Sequence, residues 1–294
     1  MKKITLIVAS ALMLTASSFA QDFLGYINSN YSGVTGTDLN PANVVDSRYK
    51  TDICLTGASF ALYNNYVGMD KSALKKDKDD GHYYAFDDTL FREKYLTTRD
   101  NNINKSLYFS NQIYGPSFLV SINRKNAFAV KTKLRTLINI DGLEPELAKL
   151  AYSELQDSSL WRQKHSNQNF SAQTMTWAEY AICYGHVFKD DGAHAFKAGI
   201  TAKYIQGIQS AYMNIKDLDY NFTNDTTLSL FQSDVNYGHS STYEGDKIEL
   251  GYKNASLFSW GLDLGVVYEF RPDFETFKYD MDGETGLWRR DQNK

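Results

Sequence analysis

The stretch Trp260-Gly-Leu-Asp-Leu-Gly-Val-Val-Tyr-Glu-Phe270 decides the fold, because every second residue, Trp260, Leu262, Leu264, Val266, Tyr268 and Phe270, is apolar or aromatic. Of the positions between them, Gly261, Asp263, Gly265 and Glu269 are small or charged. A period of two belongs to a strand with two unlike faces. Aromatics at both ends of an apolar row suit a strand that faces lipid between two interfaces. The expected fold is all-β: an antiparallel, up-and-down transmembrane β-barrel with a short helical insertion.

The same alternation recurs upstream. Phe118, Val120 and Ile122 lead to the polar turn Asn123–Asn126, after which Phe128, Val130, Leu134 and Ile138 share one face and Lys131, Lys133 and Arg135 the other. A second hairpin sets Ala178, Tyr180, Ile182 and Tyr184 against Glu179, Ala181, Cys183 and Gly185. After the turn Lys189–Gly192 it sets Phe196, Ala198, Ile200, Ala202 and Tyr204 against Lys197, Gly199, Thr201 and Lys203. A soluble sandwich alternates too, so the aromatic row ends and the leader carry the choice of a barrel. Between the hairpins, Asp70 to Asn104 reads as a charged surface loop, and Leu143 to Leu155, with Pro145 near its start, reads as a short amphipathic helix. Tyr212 to Asn224 reads as a further strand.

Lys2 and Lys3 precede an apolar run from Ile4, and Ser18-Phe19-Ala20 supplies small residues at a cleavage site, so residues 1–20 are expected to be a signal peptide. Downstream there is no apolar run near the roughly 18 residues of a membrane helix, and the mean hydropathy is −0.45. Tyr (21) and Phe (17) are abundant, Pro (4) is scarce and the net charge is −4, which excludes a nucleic-acid partner and suits an envelope protein of the outer membrane. Cys54 and Cys183 read as unpaired small side chains. Residues 21–50 form an irregular segment suited to the inside of a barrel, and residues 51–294 the barrel itself. The chain ends in polar sequence, Asp291–Lys294, without a terminal aromatic strand, so a barrel truncated at its C-terminus is expected, with about eight to ten strands present.

Asn28 to Asn43, followed by Asp46-Ser-Arg-Tyr49 and Ile53-Cys-Leu-Thr-Gly57, resembles the opening of a Bacteroidetes outer-membrane β-barrel family of unestablished function, and Tyr279–Arg290 resembles a later part of it. Some members of that family carry an OmpA-like peptidoglycan-binding domain, which this chain does not display. More distantly, Asn40-Pro41-Ala42 is similar to a step near the mature N-terminus of FadL-type transporters of hydrophobic compounds. That resemblance implies a segment lying inside the barrel.

No catalytic constellation is present: there is no nucleophile elbow, no His-Glu-x-x-His helix and no phosphate loop. His186 and His194, which could approach one another across a turn, read as solvated rather than metal-bound, and Asp280-Met-Asp282-Gly283 reads as a turn rather than a calcium loop. No enzyme activity, cofactor or metal is expected. The inner-face charges Lys131, Lys133, Arg135, Glu179, Lys197, Lys203, Asp263 and Glu269 are the candidates for a lumen lining, as a salt-bridge ladder or a solute path. Two functions are expected from this. The leading one is passive uptake of a small or hydrophobic ligand across the outer-membrane bilayer. The alternative is a filled barrel that anchors or assembles envelope proteins, or reaches peptidoglycan through a missing C-terminal domain.

Overall fold

In a computed structural model of the chain, residues 25–29, 31–74, 89–240, 258–281 and 283–287 are described. The expected signal peptide, the charged run Lys75–Asp80, Asp282 and residues 288–294 lie outside them. Alternating sequence makes strands β1 (Thr51–Cys54), β2 (Gly57–Asn64), β5 (Lys105–Tyr114), β6 (Ser117–Asn123), β7 (Asn126–Leu143), β8 (His165–Asp190), β9 (His194–Phe222), β10 (Leu228–His239) and β11 (Phe258–Phe270). These nine form one antiparallel sheet. Two small hairpins stand apart from it, β3 (Val67–Met69) with β4 (Leu96–Thr98), and β12 (Tyr279–Met281) with β13 (Glu284–Leu287).

The nine strands run in six tracks. β1 and β2 follow one another along the first, and β5 and β6 along the second, where Gly115-Pro116 interrupts the ladder. Proline has no N–H to donate there, and Ser117 mends the gap by accepting a hydrogen bond from the Thr132 amide at 3.1 Å. β10 and β11 share the last track: β11 pairs with the first part of β9 and β10 with the rest. At one end the turns are short. Asn123 accepts from the amides of Lys125 and Asn126 at 2.9 and 3.0 Å, closing an Asx turn, and Gly192 takes φ 89° in the other. At the opposite end lie the longer connections.

Among those, Pro145–Tyr152 is an α-helix, as its spacing predicts. It stops where Glu154 and Leu155 take φ of 54° and 67°, the Leu155 amide reaching back to the Leu150 carbonyl at 2.8 Å. Leu150 is fully buried against Leu218, Tyr220 and Phe222 of β9. Leu150→Ala should therefore cost about 2–5 kcal/mol locally, seen as faster proteolysis of residues 153–164 with the sheet intact.

Two expectations change. Thr89–Tyr95, inside the stretch read as a loop, is a helix whose buried Phe91 and Tyr95 rings meet at a tilt of 50° with centroids 5.4 Å apart, and β4 follows it directly. The i, i+4 aromatic pair was the signal, masked by the charges around it. Tyr212–Phe222 is not a separate strand but the far part of β9, which spans 29 residues, and Asn224 lies in the polar turn that follows it, accepting from the Thr227 amide at 2.8 Å.

The two faces of the sheet differ completely. On one face the directly opposed residues Ile53, Phe118, Val130, Ile182, Ala202 and Leu262 form an apolar row across all six tracks. The next row is Thr51, Val120, Phe128, Tyr184, Ile200 and Leu264. None of these twelve side chains is buried, and along β11 Phe258, Trp260, Leu262, Leu264, Val266, Tyr268 and Phe270 are 59–73% exposed. Two rows alone, at ~4.8 Å by ~6.6 Å per position, cover roughly 380 Å². That already reaches the ~300–600 Å² of the largest apolar patch on a typical soluble monomer. The opposite face is covered by the chain's own N-terminal segment.

Candidate functional site

The covering segment, residues 31–47, has no strand alternation and folds on local polar bonds. Thr35 and Thr37 hydroxyls donate to the carbonyls of Ser32 and Val34 at 2.6 and 2.7 Å around a 3-10 turn, Thr35–Asp38. Asn40 then accepts from the Ala42 amide at 2.9 Å. Ala42 is the N-cap of the single helical turn Asn43–Asp46, and Pro41, with no amide hydrogen to satisfy, precedes it. Val34, Ala42 and Val44 are fully buried, and Val34 and Val44 pack on Leu119, Ala127, Ala129 and Cys183 of the sheet. This cluster is the main core of the described residues.

The sheet makes room for the segment with glycine. Gly185, Gly199 and Gly265 are directly opposed on β8, β9 and β11. A Cβ on Gly185 would stand 2.5 Å from Val44 Cγ1. One on Gly199 would strike the Pro41 carbonyl and stand 2.6 Å from the Ala42 nitrogen, and one on Gly265 would strike Asn40 and stand 2.7 Å from Pro41 Cδ. The Asn40-Pro41-Ala42 step thus lies in a trough only glycine permits. Asn40 Nδ2 also donates to the Val266 carbonyl at 3.0 Å, and the Cys183 thiol donates to the Pro41 carbonyl at 3.5 Å. Both cysteines are free thiols.

Charge pins the segment in two places. Asp38 receives Lys131 at 2.5 Å and Lys133 at 2.9 Å, all three side chains at most 9% exposed. Lys133 also reaches Glu179 at 3.3 Å, and Arg135 reaches Glu179 at 3.4 Å while lying over the Trp177 ring. Trp177 Nε1 donates to Glu179 at 2.8 Å. Burial opposes the charge on Asp38, but the two lysines outweigh it and hold the carboxyl below its ordinary value. Because that value is lowered, the Asp38 contribution is in place above about pH 3.9 and is lost as the pH falls through the lower folded value. The second pin is Lys197, which bonds Asp46 and Glu269, each at 2.5 Å, with Arg271 on the far oxygen of Glu269 at 2.8 Å. Lys203 and Asp263 pair at 2.6 Å beside it.

All eight charges singled out in the sequence therefore lie on the covered face in ion pairs. Asp38 and Asp46, which complete two of the clusters, were not singled out, since pairs 93 and 151 residues apart leave no local trace. Gln112 was missed as well. It is 1% exposed, opposite Arg135, and among the described residues neither end of its amide has a partner. The two histidines diverge: His186 bonds Asn126 at 2.8 Å and His194 bonds Tyr268 at 2.7 Å. Among the described residues no group of His, Cys, Asp and Glu could hold a metal, and Asp280 accepts the Gly286 amide at 2.8 Å in a turn.

Comparison with curated proteins and with solved structures finds no match. The model of a family of unknown function, DUF5723, matches residues 41–278, from Pro41 through the whole nine-stranded sheet, and the chain belongs to that family.

Proposed function

We propose that the sheet is part of an outer-membrane β-barrel whose bare apolar face meets lipid and whose covered face is a lumen plugged by residues 31–47. In this reading the barrel passes small solutes when the plug yields. The row of exposed aromatic and aliphatic side chains on β11 carries it. Its 13 residues extend about 43 Å at ~3.3 Å each, and a ~40° tilt would give them a height of roughly 33 Å. That is enough for the ~25 Å apolar band and the aromatic girdles of such barrels. The short turns at Asn123–Asn126 and Asp190–His194 would face the periplasm. β8 and β9, 26 and 29 residues long, far exceed the ~9–11 needed to cross, so their far ends would stand outside.

The seat of Asn40-Pro41-Ala42 against the covered face supports this reading, since the similarity to FadL-type transporters implies a segment lying inside the barrel. Leu264→Arg, near the middle of the apolar row, should cost about 2–4 kcal/mol of membrane stability, measured by denaturant titration of the protein in lipid vesicles. A cost near zero would place that face in water. For transport, single-channel recording should find the native chain closed or nearly so and a plug-displaced variant conducting. Lack of solute flux in proteoliposomes of both would count against it. One observation favours the second reading, a filled barrel serving as envelope anchor: every charge on the covered face named above is already paired, as in a permanently packed interior. A plug-displaced variant that folds in the membrane yet never conducts would favour it.

A further inference from the structure

Beyond the plug, toward the long-connection end, the strands line an open cavity of about 530 Å³, within the ~300–1,000 Å³ of small-molecule sites. Two rows of opposed residues line it. Asp141, Ser171, Asn214 and Asn236 form one across β7, β8, β9 and β10, and Asn169, Lys216 and Asp234 form the next. Opposed residues share a face, as do residues two apart on a strand. Seven polar groups therefore make a grid about 4.8 Å by 6.6 Å. Gly142 (φ 75°) and Asp217 (φ 51°) break the regular backbone at its rim.

The contrast with the plug is in the bonding. There every charge is paired and shielded; here Asp141, Asn169, Lys216, Asp234 and Asn236 are exposed and Ser171 and Asn214 half-buried, and among the described residues none of the seven side chains makes a hydrogen bond or ion pair, so all are open to a solute. We propose that this cavity binds a neutral, hydroxyl-rich solute, a short oligosaccharide. Each carboxamide offers donors and an acceptor, the carboxylates accept, and Ser171 does both. That set matches a ligand whose neighbouring hydroxyls donate and accept together. Two carboxylates against one lysine disfavour an anion. An apolar ligand would find little to hold it, since Phe170 and Ile215, opposed to one another between the two polar rows, belong to the other face of the strands.

The proposal does not depend on the membrane reading, since binding can be measured on the folded full chain in detergent. Titration with a panel of neutral di- and trisaccharides should reveal binding that Asn214→Ala with Asn236→Ala weakens at least tenfold, with the circular-dichroism spectrum of the variant unchanged. Should that variant misfold, Asn236→Cys provides the second measure: the bound saccharide should slow its modification by maleimide. No binding by any saccharide, equal binding by the variant, no protection of the cysteine, or the same site taking an uncharged tripeptide instead would each overturn it.

Discussion

Gly199→Leu should expel the N-terminal segment while leaving the sheet paired. The new Cβ would meet the backbone of Pro41 and Ala42, and backbone cannot turn aside as a long side chain can. Overpacking typically costs about 1–3 kcal/mol. Here the clash extends along the whole Asn40-Pro41-Ala42 step, because Gly185 and Gly265 on either side keep it in the same trough. Cys183 is a built-in reporter: it is fully buried, with its thiol on the Pro41 carbonyl. With Cys54 changed to Ser, a polar maleimide should leave Cys183 untouched in the native chain and label it in Gly199→Leu. Ala198 lies next along the same strand but on the bare face, opposite Val266, so Ala198→Leu should leave Cys183 protected. Equal protection in both variants would mean that the trough does not hold the segment.

Asp38→Asn should loosen the same segment electrostatically. Lys131 has no other carboxylate among the described residues, whereas Lys133 keeps Glu179. Removing one partner of a buried pair leaves a charge uncompensated, at about 3–5 kcal/mol, so the open population should rise at least ~100-fold at 1.36 kcal/mol per tenfold. The rate of Cys183 labelling reads that population directly. Removing the stranded charge as well, in Asp38→Asn with Lys131→Met, should recover most of the protection, because an apolar replacement of a buried pair is often close to neutral. A double variant as labile as the single one would show that Asp38 acts through its own backbone turn instead.

Much of this was legible in the sequence, and the parts that were not share a cause. Period-two alternation is a local signal, so the facing of Trp260–Phe270 and of Lys131, Lys133 and Arg135 could be read from neighbours alone. The length of β8 and β9 could not, because irregularities at Thr176/Trp177 and Val187/Lys189 shift the phase of the pattern while the ladder continues. Nor could the shared use of β9 by β10 and β11, since pairing choice is written in contacts across the sheet rather than along the strand. Within the plug, composition announced an irregular segment, and Asn40-Pro41 its turn. Its anchors, Asp38, Asp46 and the glycine trough, became visible only when three strands were brought side by side. Gly185 and Gly199 looked merely like small residues on a polar face.

If the bare face of this sheet meets lipid while the other meets the chain's own N-terminal segment, a nitroxide scan of residues 258–270 in the full chain reconstituted into bilayers should show it. Oxygen accessibility should alternate with a period of two, high at 260, 262, 264, 266 and 268 and low at 261, 263 and 265, with the polar relaxant excluded from the high positions. Even-numbered positions open to the polar relaxant would contradict it, and would make the apolar face a surface for protein rather than for lipid.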